Sequence, residues 1–300
     1  MARLVREVVE KLRRQLAAAQ RWEVTILDAS ANDTQDELSL RYELTPSIEA
    51  GAILSINDED VYVLEVDTST YVVTVIRGWN GSDAGHHDVN DVVWIEPRWT
   101  GADLADTLRD EILSWPTKLF RVFGATVDVA SDDETVELAT TFTGLYGIID
   151  VRFNETAADT TAWKRADVRL QRGYSTTWEG AATSGVLLRY KRGVLPAGSL
   201  YVEAAMPFDI DAWDWEADLV DDIGIPESCI DLATLGVKVR LLADSEIGRS
   251  ARDAQGDARN AQETPPGAAI GAAEALRQLY MRRMAEEVAR LAARYPIVVG

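Results

Sequence analysis

The chain has 300 residues, of which 47% are hydrophobic and 27% are charged, and this globular composition excludes a largely disordered protein. Its length suits two or three domains, each with its own core. The single cysteine, Cys229, excludes an internal disulfide framework and any metal site built from several thiolates, as expected for assembly in reducing cytosol. No apolar run is long enough to cross a bilayer, so no membrane partner is expected.

The net charge of −20 is distributed unevenly along the chain. The first 21 residues hold six basic and two acidic side chains, whereas residues 203–231 hold ten acidic side chains and no basic one. From residue 231 to the end there are ten basic and nine acidic side chains. An acidic surface repels nucleic acid, which argues against sequence-specific DNA binding. The pattern suits a protein whose ends dock on partners while its acidic middle stays solvated.

The first predicted element is an amphipathic helix from Arg3 to Ala19. Its apolar residues recur at steps of three and four: Leu4, Val5, Val8, Val9, Leu12 and Leu16. Residues 1–22 are therefore assigned to an N-terminal helix. Residues 23–97 then alternate apolar and polar side chains in six short runs, with Asn, Asp and Gly between the runs. This alternation predicts a small antiparallel β module.

A second helix is predicted to begin after Thr100, whose side chain can cap the backbone N–H of Asp103 while the Asp103 carboxylate reaches back. An apolar stripe at helical spacing follows, and Pro116 ends the helix, so residues 98–116 are assigned to a bundle helix. Residues 117–208 contain several short apolar runs separated by turn-rich segments. They are predicted to form an antiparallel β-sandwich or barrel.

Residues 209–226 form an acidic connector, and residues 227–300 are predicted to form C-terminal helices and a tail. Prolines at 265 and 266 break this helical region, and the last helix covers about 267–294. The helical segments thus come at the start, the middle and the end of the chain. The predicted fold class is therefore α+β, with a helical bundle from sequence-distant helices and two inserted antiparallel β modules.

Both histidines of the chain, His86 and His87, lie in the loop between two predicted strands, with Asp83 and Asp88 beside them. Adjacent residues of an extended chain point to opposite sides, and metal sites generally need three or four protein ligands. The favoured interpretation is a long hairpin loop whose polar residues bond its own backbone, with Asn90 in left-handed geometry at its second turn. No catalytic, cofactor-binding or metal-binding residue is expected, and neither is enzyme activity.

A set of residues in this loop resembles a segment that recurs in structural proteins of tailed bacteriophages: Arg77-Gly78, Gly81-Ser82, His87 and Val92-Val93. The recurring segment reads Arg-Gly, then Gly-Thr, then a histidine five residues after the threonine. This loop departs from it at Ser82, where Thr is usual, and at Asn90, where Gly is preferred. In tail, fibre and connector proteins the segment belongs to a β module and is not catalytic. The resemblance implies that His87 is a structural loop residue.

The C-terminal part, from Gly236 through the last helix, is similar in pattern and order to the C-terminal helical part of phage head-to-tail connector (adaptor) proteins. That resemblance implies a structural virion protein, a subunit of a twelvefold ring that links the portal to the tail and lines the DNA exit channel. The implied partners are further copies of the chain, the portal protein and a downstream tail protein, with genomic DNA passing through non-specifically. The implied location is the virion, assembled in the host cytoplasm.

Cations on the last helix are candidates for docking on an acidic partner. They are Arg282, Arg283, Arg290 and Arg294. The alternative is a solvated helix face with no partner, and the sequence leaves both interpretations open.

Two apolar groups are further candidates for partner binding. Trp213 and Trp215 would point the same way on an extended strand, where they either cap the core of the second β region or anchor a neighbouring subunit. The tail residues Ile297, Val298 and Val299 are three consecutive β-branched residues that would fray in water. They are predicted to insert into a partner.

An alternative function is a baseplate or tail-fibre protein whose second β region holds carbohydrate. Trp163, Tyr174 and Trp178 could form a stacking platform for sugar rings in that region. Aromatic residues on strands more often belong to the core, which is the competing interpretation.

Overall fold

The computed structural model describes residues 3–17, 23–41, 48–130, 135–138, 141–154, 163–172, 186–191, 197–254 and 268–297. The chain divides into two compact units. The first unit comprises Met1–Ser114, Ile210–Ile223 and Glu227–Met281, and the second comprises Trp115–Asp209, Gly224–Pro226 and Arg282–Gly300. The finer segment boundaries given by the sequence stay predictions.

The first unit contains a six-stranded antiparallel sheet. Its strands are β1 (Glu23–Ile26), β2 (Glu37–Ser39), β3 (Ile53–Ile56), β4 (Glu59–Asp67), β5 (Val72–Ile76) and β6 (Val92–Ile95), in the order β1-β6-β3-β4-β5-β2. The sheet curls so that its two edge strands approach each other, with an isolated bridge between Leu27 and Leu40. Successive side chains of a strand point to opposite faces, so alternate residues fill the inside of the curl. This core includes Leu54, Ile56, Val61, Val63, Val73, Val75 and Val93.

Turns with left-handed backbone connect the strands of this sheet. In the β3–β4 hairpin Ile56 pairs directly with Glu59, and Asn57 in the turn has a φ of 55°. Asparagine tolerates this conformation better than most residues because its side chain is short and polar. The long loop from β5 to β6 contains Asn90 with a φ of 73°, so the prediction of left-handed geometry there is confirmed.

The described part of the chain contains four α-helices: α1 (Val5–Ala17), α2 (Gly101–Leu113), α3 (Ile230–Ala254) and α4 (Ala268–Arg294). Helices are confirmed in segments where the sequence predicts them, over Val5–Ala17, Gly101–Leu113 and Ala268–Arg294. The capping box before α2 is also confirmed, since Asp103 N donates to Thr100 Oγ1 at 3.1 Å and Thr100 N donates to the Asp103 carboxylate at 3.4 Å. None of these helices is long and apolar enough to cross a membrane.

A buried carboxylate on α2 joins three helices of the first unit. Glu111 is 3% exposed, and it accepts hydrogen bonds from Arg240 Nε of α3 at 2.6 Å and from the Tyr280 hydroxyl of α4. Gly236 of α3 lies so close that a Cβ there would be 2.2 Å from Glu111 Oε1. The close approach of α2 and α3 therefore depends on a glycine at position 236.

The second unit contains two sheets that share one hydrophobic core. Its strands are β7 (Arg121–Val129), β8 (Thr135–Glu137), β9 (Gly147–Asn154), β10 (Lys164–Arg165), β11 (Val168–Arg172), β12 (Val186–Tyr190) and β13 (Gly198–Met206). They form a four-stranded sheet, β10-β9-β13-β7, and a three-stranded sheet, β11-β12-β8. Val151, Leu200 and Val202 of the first sheet belong to the same buried cluster as Val136 and Leu188 of the second.

The predicted fold class was wrong. The chain is mostly β, with three sheets and few helices, and is not a helical bundle carrying two β inserts. Helices α1, α2 and α3 do contact one another. However, one hydrophobic cluster in each unit is built from strand and loop residues. The amphipathic helices give a strong local signal in the sequence, whereas the dominance of the sheets depends on which strands pair.

A buried arginine connects α1 to the curled sheet and to the start of α2. Arg13 is 1% exposed, and its Nη2 atom donates to the Ser55 hydroxyl of β3 at 3.2 Å. Gly101 N at the first turn of α2 donates to the same hydroxyl at 2.9 Å. The Arg13 guanidinium also lies 5.0 Å from the centre of the Trp94 ring on β6. One hydroxyl thus holds the two helices against the sheet.

We expect Gly101→Ala to destabilise the first unit, because a Cβ there would lie 1.7 Å from the Asn57 carbonyl oxygen and 2.6 Å from Arg13 Nη2. Backbone must shift to make room, so the free energy of unfolding should fall by about 3 kcal/mol in urea denaturation. The matched control is Gly85→Ala, where a Cβ meets nothing within 4 Å. Equal stability of the two variants would contradict this account of α2 packing.

Candidate functional site

The loop that carries both histidines closes around the carboxylate of Glu59, the first residue of β4. Glu59 is fully buried and accepts five hydrogen bonds. Arg77 donates from Nε and from Nη2, both at 2.6 Å, and His87 Nε2 donates at 2.8 Å. The backbone N–H groups of Gly78 and Gly85 donate at 2.9 and 3.0 Å. Each oxygen of the carboxylate therefore accepts a hydrogen bond from the positively charged Arg77 and at least one more from another donor.

Arg77 uses all five N–H groups of its guanidinium in hydrogen bonds. Besides Glu59 it reaches three backbone carbonyls, those of Asn32 at 2.6 Å, Gln35 at 2.8 Å and Gly85 at 2.6 Å. Its side chain is 8% exposed. Arg77 thereby ties the segment after β1 to the loop before β6, in the manner of a structural cross-link.

His87 is buried, and both of its ring nitrogens have partners. Nε2 donates to Glu59, and Nδ1 accepts from the Asn57 amide at 3.4 Å, a pattern that a neutral ring satisfies. The His87 backbone forms a β-bridge with Ala31 through two hydrogen bonds of 2.9 Å. His86 points elsewhere: its side chain is 63% exposed and lies 3.3 Å from Asp88. The two histidines do not converge on one site.

The chemistry of this cluster is that of a scaffold. Burial raises the pKa of Glu59, but hydrogen bonds from His87, Arg77, Gly85 and Gly78 outweigh that effect and lower the pKa to about 2. The carboxylate is therefore ionised and saturated with donors, with no free lone pair directed at a substrate. Within the described residues, no group of three or more His, Cys, Asp or Glu side chains could hold a metal ion.

Sequence reasoning found His87 and Arg77 but missed Glu59, which lies 28 residues before His87 in the chain. A local signal was present, because Glu59 opens a strand whose alternate positions are buried and apolar. A charged residue at such a position needs a buried partner of opposite charge or several hydrogen-bond donors. The identity of those donors could not be read from spacing along the chain.

Asp60, the next residue, has the opposite environment. It is 1% exposed, and one of its carboxylate oxygens, Oδ1, has no hydrogen-bond partner within the part of the chain that the structure describes. Burial raises the pKa of Asp60 to about 6, with hydrogen bonds from Thr100 and Ser55 and the charge of Arg13 opposing the rise, and Asp103 adding to it. Asp60 is thus the carboxylate of the pair whose hydrogen bonding is incomplete.

The two tryptophans predicted to bind a partner lie in the first unit. The segment around Trp213 and Trp215 is a 3-10 turn (Ile210–Ala212) followed by irregular backbone, so the extended strand expected there is absent from these described residues. Both side chains are half-buried. Trp215 lines an open groove of about 790 Å³ along α1, together with Arg6, Glu10, Lys11 and Arg14. Their role in partner binding stays a prediction.

The acidic connector pairs with the basic start of the chain. Arg6 bonds Glu216 at 2.7 Å, and Arg3 lies 3.4 Å from Asp218 and 2.9 Å from Asp221. Backbone hydrogen bonds reinforce the contact, among them Val5 N to the carbonyl of Ala217 at 3.0 Å. The sequence had suggested basic ends that dock on partners, whereas part of that charge is matched inside the chain.

The candidate arginines of α4 lie on its exposed surface and contact acids of the same helix. Arg282 and Arg283 each lie 3.0 Å from Glu286, and Arg290 lies 3.7 Å from Glu287. Arg294 stacks on Tyr295 at 5.1 Å from the ring centre. The pair formed by Arg282 and Glu286 is exposed and contributes little to stability, so Arg282 can exchange partners at low cost, whereas Glu287 is buried.

The tail candidates are only partly described. Ile297 is half-buried, and a Cβ on Gly147 of β9 would lie 2.3 Å from its Cγ2 atom, so Ile297 packs on a strand of its own unit. Val298 and Val299 lie outside the described residues. Insertion of the tail into a partner stays a prediction.

The carbohydrate platform is also only partly described. Trp163 packs edge-on against Tyr201, with ring centres 6.2 Å apart. Tyr174 and Trp178 lie outside the described residues, and carbohydrate binding stays a prediction.

The chain was compared with known proteins. No protein-family model matches the chain, and no curated protein matches it significantly.

We expect Glu59→Gln to lower the free energy of unfolding at neutral pH by roughly 3–5 kcal/mol, because it leaves the Arg77 charge buried without a counter-ion. The low pKa of Glu59 also gives a pH signature. Its stabilisation is complete above about pH 4.5 and is lost as pH falls towards 2, so the variant should lose stability less steeply than wild type over that range. Glu65→Gln, at an exposed position on the same strand, is the control. A cost equal to that of the control would contradict the scaffold role.

For Asp60 the sign is reversed. Its pKa is raised in the folded protein, so ionisation opposes folding and stability falls as pH rises from about 3.8 to about 6. Asp60→Asn should remove up to about 3 kcal/mol of this decline, measured as unfolding free energy at several pH values. Asp106→Asn, at an exposed position of α2, should leave the slope unchanged. An unaltered slope in Asp60→Asn would show that Asp60 ionises normally.

Proposed function

We propose that the protein is a structural virion component, a head-to-tail connector (adaptor) subunit that forms a ring between the portal and the tail of a bacteriophage. The observation that carries the proposal is the structural role of the loop residues that resemble the phage segment. Arg77, Gly78 and His87 of that segment all donate to the buried Glu59. Residues used in this way hold a β module together and leave no group free for catalysis.

Exposed apolar side chains on the curled sheet support assembly into an oligomer. Val24 of β1 is 41% exposed and Val92 of β6 is 42% exposed, and Ile26 pairs directly with Val92 across the two strands. Leu64 of β4 is 48% exposed. Ring subunits contact their neighbours through two different surfaces, and obligate interfaces are rich in apolar side chains. The outer face of the sheet is suited to that role.

The cations of α4 support a docking role toward an acidic neighbour such as the portal. Arg282 and Arg290 are 78% and 60% exposed, and their contacts are with acids of their own helix. A partner carboxylate can replace the exposed contact between Arg282 and Glu286 without breaking a core interaction. In the proposed ring, genomic DNA passes through the channel without sequence-specific contacts, consistent with the net charge of −20.

The test is assembly of the purified full chain with the portal protein of the same virus, observed by native mass spectrometry and electron microscopy. We expect a ring of many copies that binds the portal, and Arg282→Glu should weaken portal binding roughly tenfold. The control is Arg109→Glu, which makes the same charge change at an exposed residue of α2. A chain that stays monomeric at high concentration and does not bind the portal would refute the proposal.

A further inference from the structure

A groove of about 790 Å³ runs along the exposed side of α1 in the first unit. Helix α1 contributes three cations and two acids to its lining, namely Arg6, Lys11, Arg14, Glu7 and Glu10. The half-buried indole of Trp215 supplies the largest apolar surface of the groove. A volume of this size is in the range of sites that hold a ligand or several side chains of a partner. The groove therefore offers both charge and one large apolar side chain.

Two of the three cations have no ion pair. Arg6 pairs with Glu216 at 2.7 Å, whereas Lys11 and Arg14 form no ion pair with any residue in the described part of the chain. Arg14 Nε donates to a neutral acceptor, the backbone carbonyl of Glu10, at 3.2 Å. Both side chains are exposed. Lys11 and Arg14 are therefore available to carboxylates of a partner.

A third cation lies close to Lys11. Burial and the charge of Lys11 lower the pKa of Lys238, a half-buried residue of α3. Among the residues that the structure describes, neither lysine has an acidic partner. Positive charges held near one another raise the local potential and attract anions. This side of α1 thus favours an acidic occupant over a neutral or basic one.

The same unit carries an acidic surface on the segment that leads into β2. Three exposed acids lie there, Asp33, Asp36 and Glu37, and none of them forms an ion pair with another described residue. Arg77 fixes the backbone of this segment, because its guanidinium donates to the carbonyls of Asn32 at 2.6 Å and Gln35 at 2.8 Å. The acids are therefore presented on an ordered backbone, so docking them costs less conformational entropy.

An exposed apolar side chain lies beside these acids. Val75 N donates to the Asp36 carbonyl at 2.8 Å, and the next residue of β5, Ile76, is 41% exposed. Glu37 pairs with Thr74 of the same strand. The acidic segment thus combines carboxylates with an apolar group, as the α1 groove combines cations with an indole. The two surfaces are complementary in charge and alike in having one apolar group each.

The groove and the acidic segment lie on opposite walls of the curled sheet. Helix α1 packs on β3, where Arg13 donates to Ser55. The strand order β1-β6-β3-β4-β5-β2 curls until its edges meet at the bridge between Leu27 and Leu40. Two strands therefore separate β3 from β2 in either direction around the curl. Complementary surfaces on opposite sides of one body produce head-to-tail contacts, which form a ring when the rotation closes.

We propose that a second copy of this chain docks its acidic segment, residues 33–37, on the α1 groove, with carboxylates beside Lys11 and Arg14 and Ile76 against Trp215. The inference rests on the proposed ring and deepens it by naming a contact between neighbouring subunits. Copies with a net charge of −20 repel one another, so their contact needs a local match of opposite charge. A second copy supplies both the acids and the apolar group for Trp215.

The test is self-association of the full chain without the portal, measured by sedimentation velocity over a range of concentrations. We expect association that weakens at least about tenfold when the salt concentration is raised from about 50 to 500 mM. The groove variant, Lys11→Glu with Arg14→Glu, should associate at least about tenfold more weakly than wild type. The segment variant, Asp36→Lys with Glu37→Lys, should do the same, because like charges then meet.

Mixing the two variants gives the sharpest result. Each contact between a groove variant and a segment variant again joins opposite charges, so the mixture should associate within about threefold of wild type. The controls are Arg109→Glu and Asp106→Lys, at exposed residues of α2, which should each change association less than about twofold. All of these substitutions are at exposed positions, and unchanged melting temperatures verify that the variants are folded.

Three results would overturn the contact between copies. They are association that persists in both variants, which would place the contact on another surface, a mixture that stays dissociated, and a wild-type chain that stays monomeric in low salt. If that monomer binds a polyglutamate probe in a way that depends on Lys11, the groove belongs to another acidic protein. A monomer that still binds the portal would overturn this contact and leave the proposed function intact.

Discussion

Two adjacent buried carboxylates, Glu59 and Asp60, determine how the first unit is arranged. Neighbouring residues of a strand point to opposite sides, so the two acids cannot share one partner. Glu59 reaches Arg77 and His87 in the loop before β6, whereas Asp60 lies toward Thr100 and Arg13. A buried charge without partners costs several kcal/mol, so the loop and the helices must each supply groups on their own side of β4. The hairpin from β3 to β4 is therefore the link between the curled sheet and the helices.

The two carboxylates differ in how completely their surroundings satisfy them. Glu59 has five donors and a pKa lowered to about 2, whereas Asp60 has incomplete hydrogen bonding and a pKa raised to about 6. The carboxylate of Glu59 is consequently saturated with hydrogen-bond donors. The junction with α1 and α2 retains one titratable carboxylate whose ionisation opposes folding.

The proposed functions are therefore attributed to exposed surfaces of the protein. The outer face of the curled sheet carries exposed valine and leucine side chains, and α4 carries cations that contact glutamates of the same helix. A fold by itself does not specify a function, so these surfaces and the phage-like loop together support the proposals. Each surface is defined by residues that can be changed without disturbing either hydrophobic core.

The sequence by itself determined the local elements. Amphipathic periodicity located α1, α2 and α4, the Thr100–Asp103 capping box located the start of α2, and asparagine chemistry gave the left-handed turn at Asn90. All of these depend on residues a few positions apart. Only the tertiary structure decided that sheets dominate the fold, that Glu59 is the partner of His87, and that the acidic connector lies on α1. Strand pairing and charge burial join residues that are tens to hundreds of positions apart, and no local pattern specifies which of the many compatible partners packing will bring together.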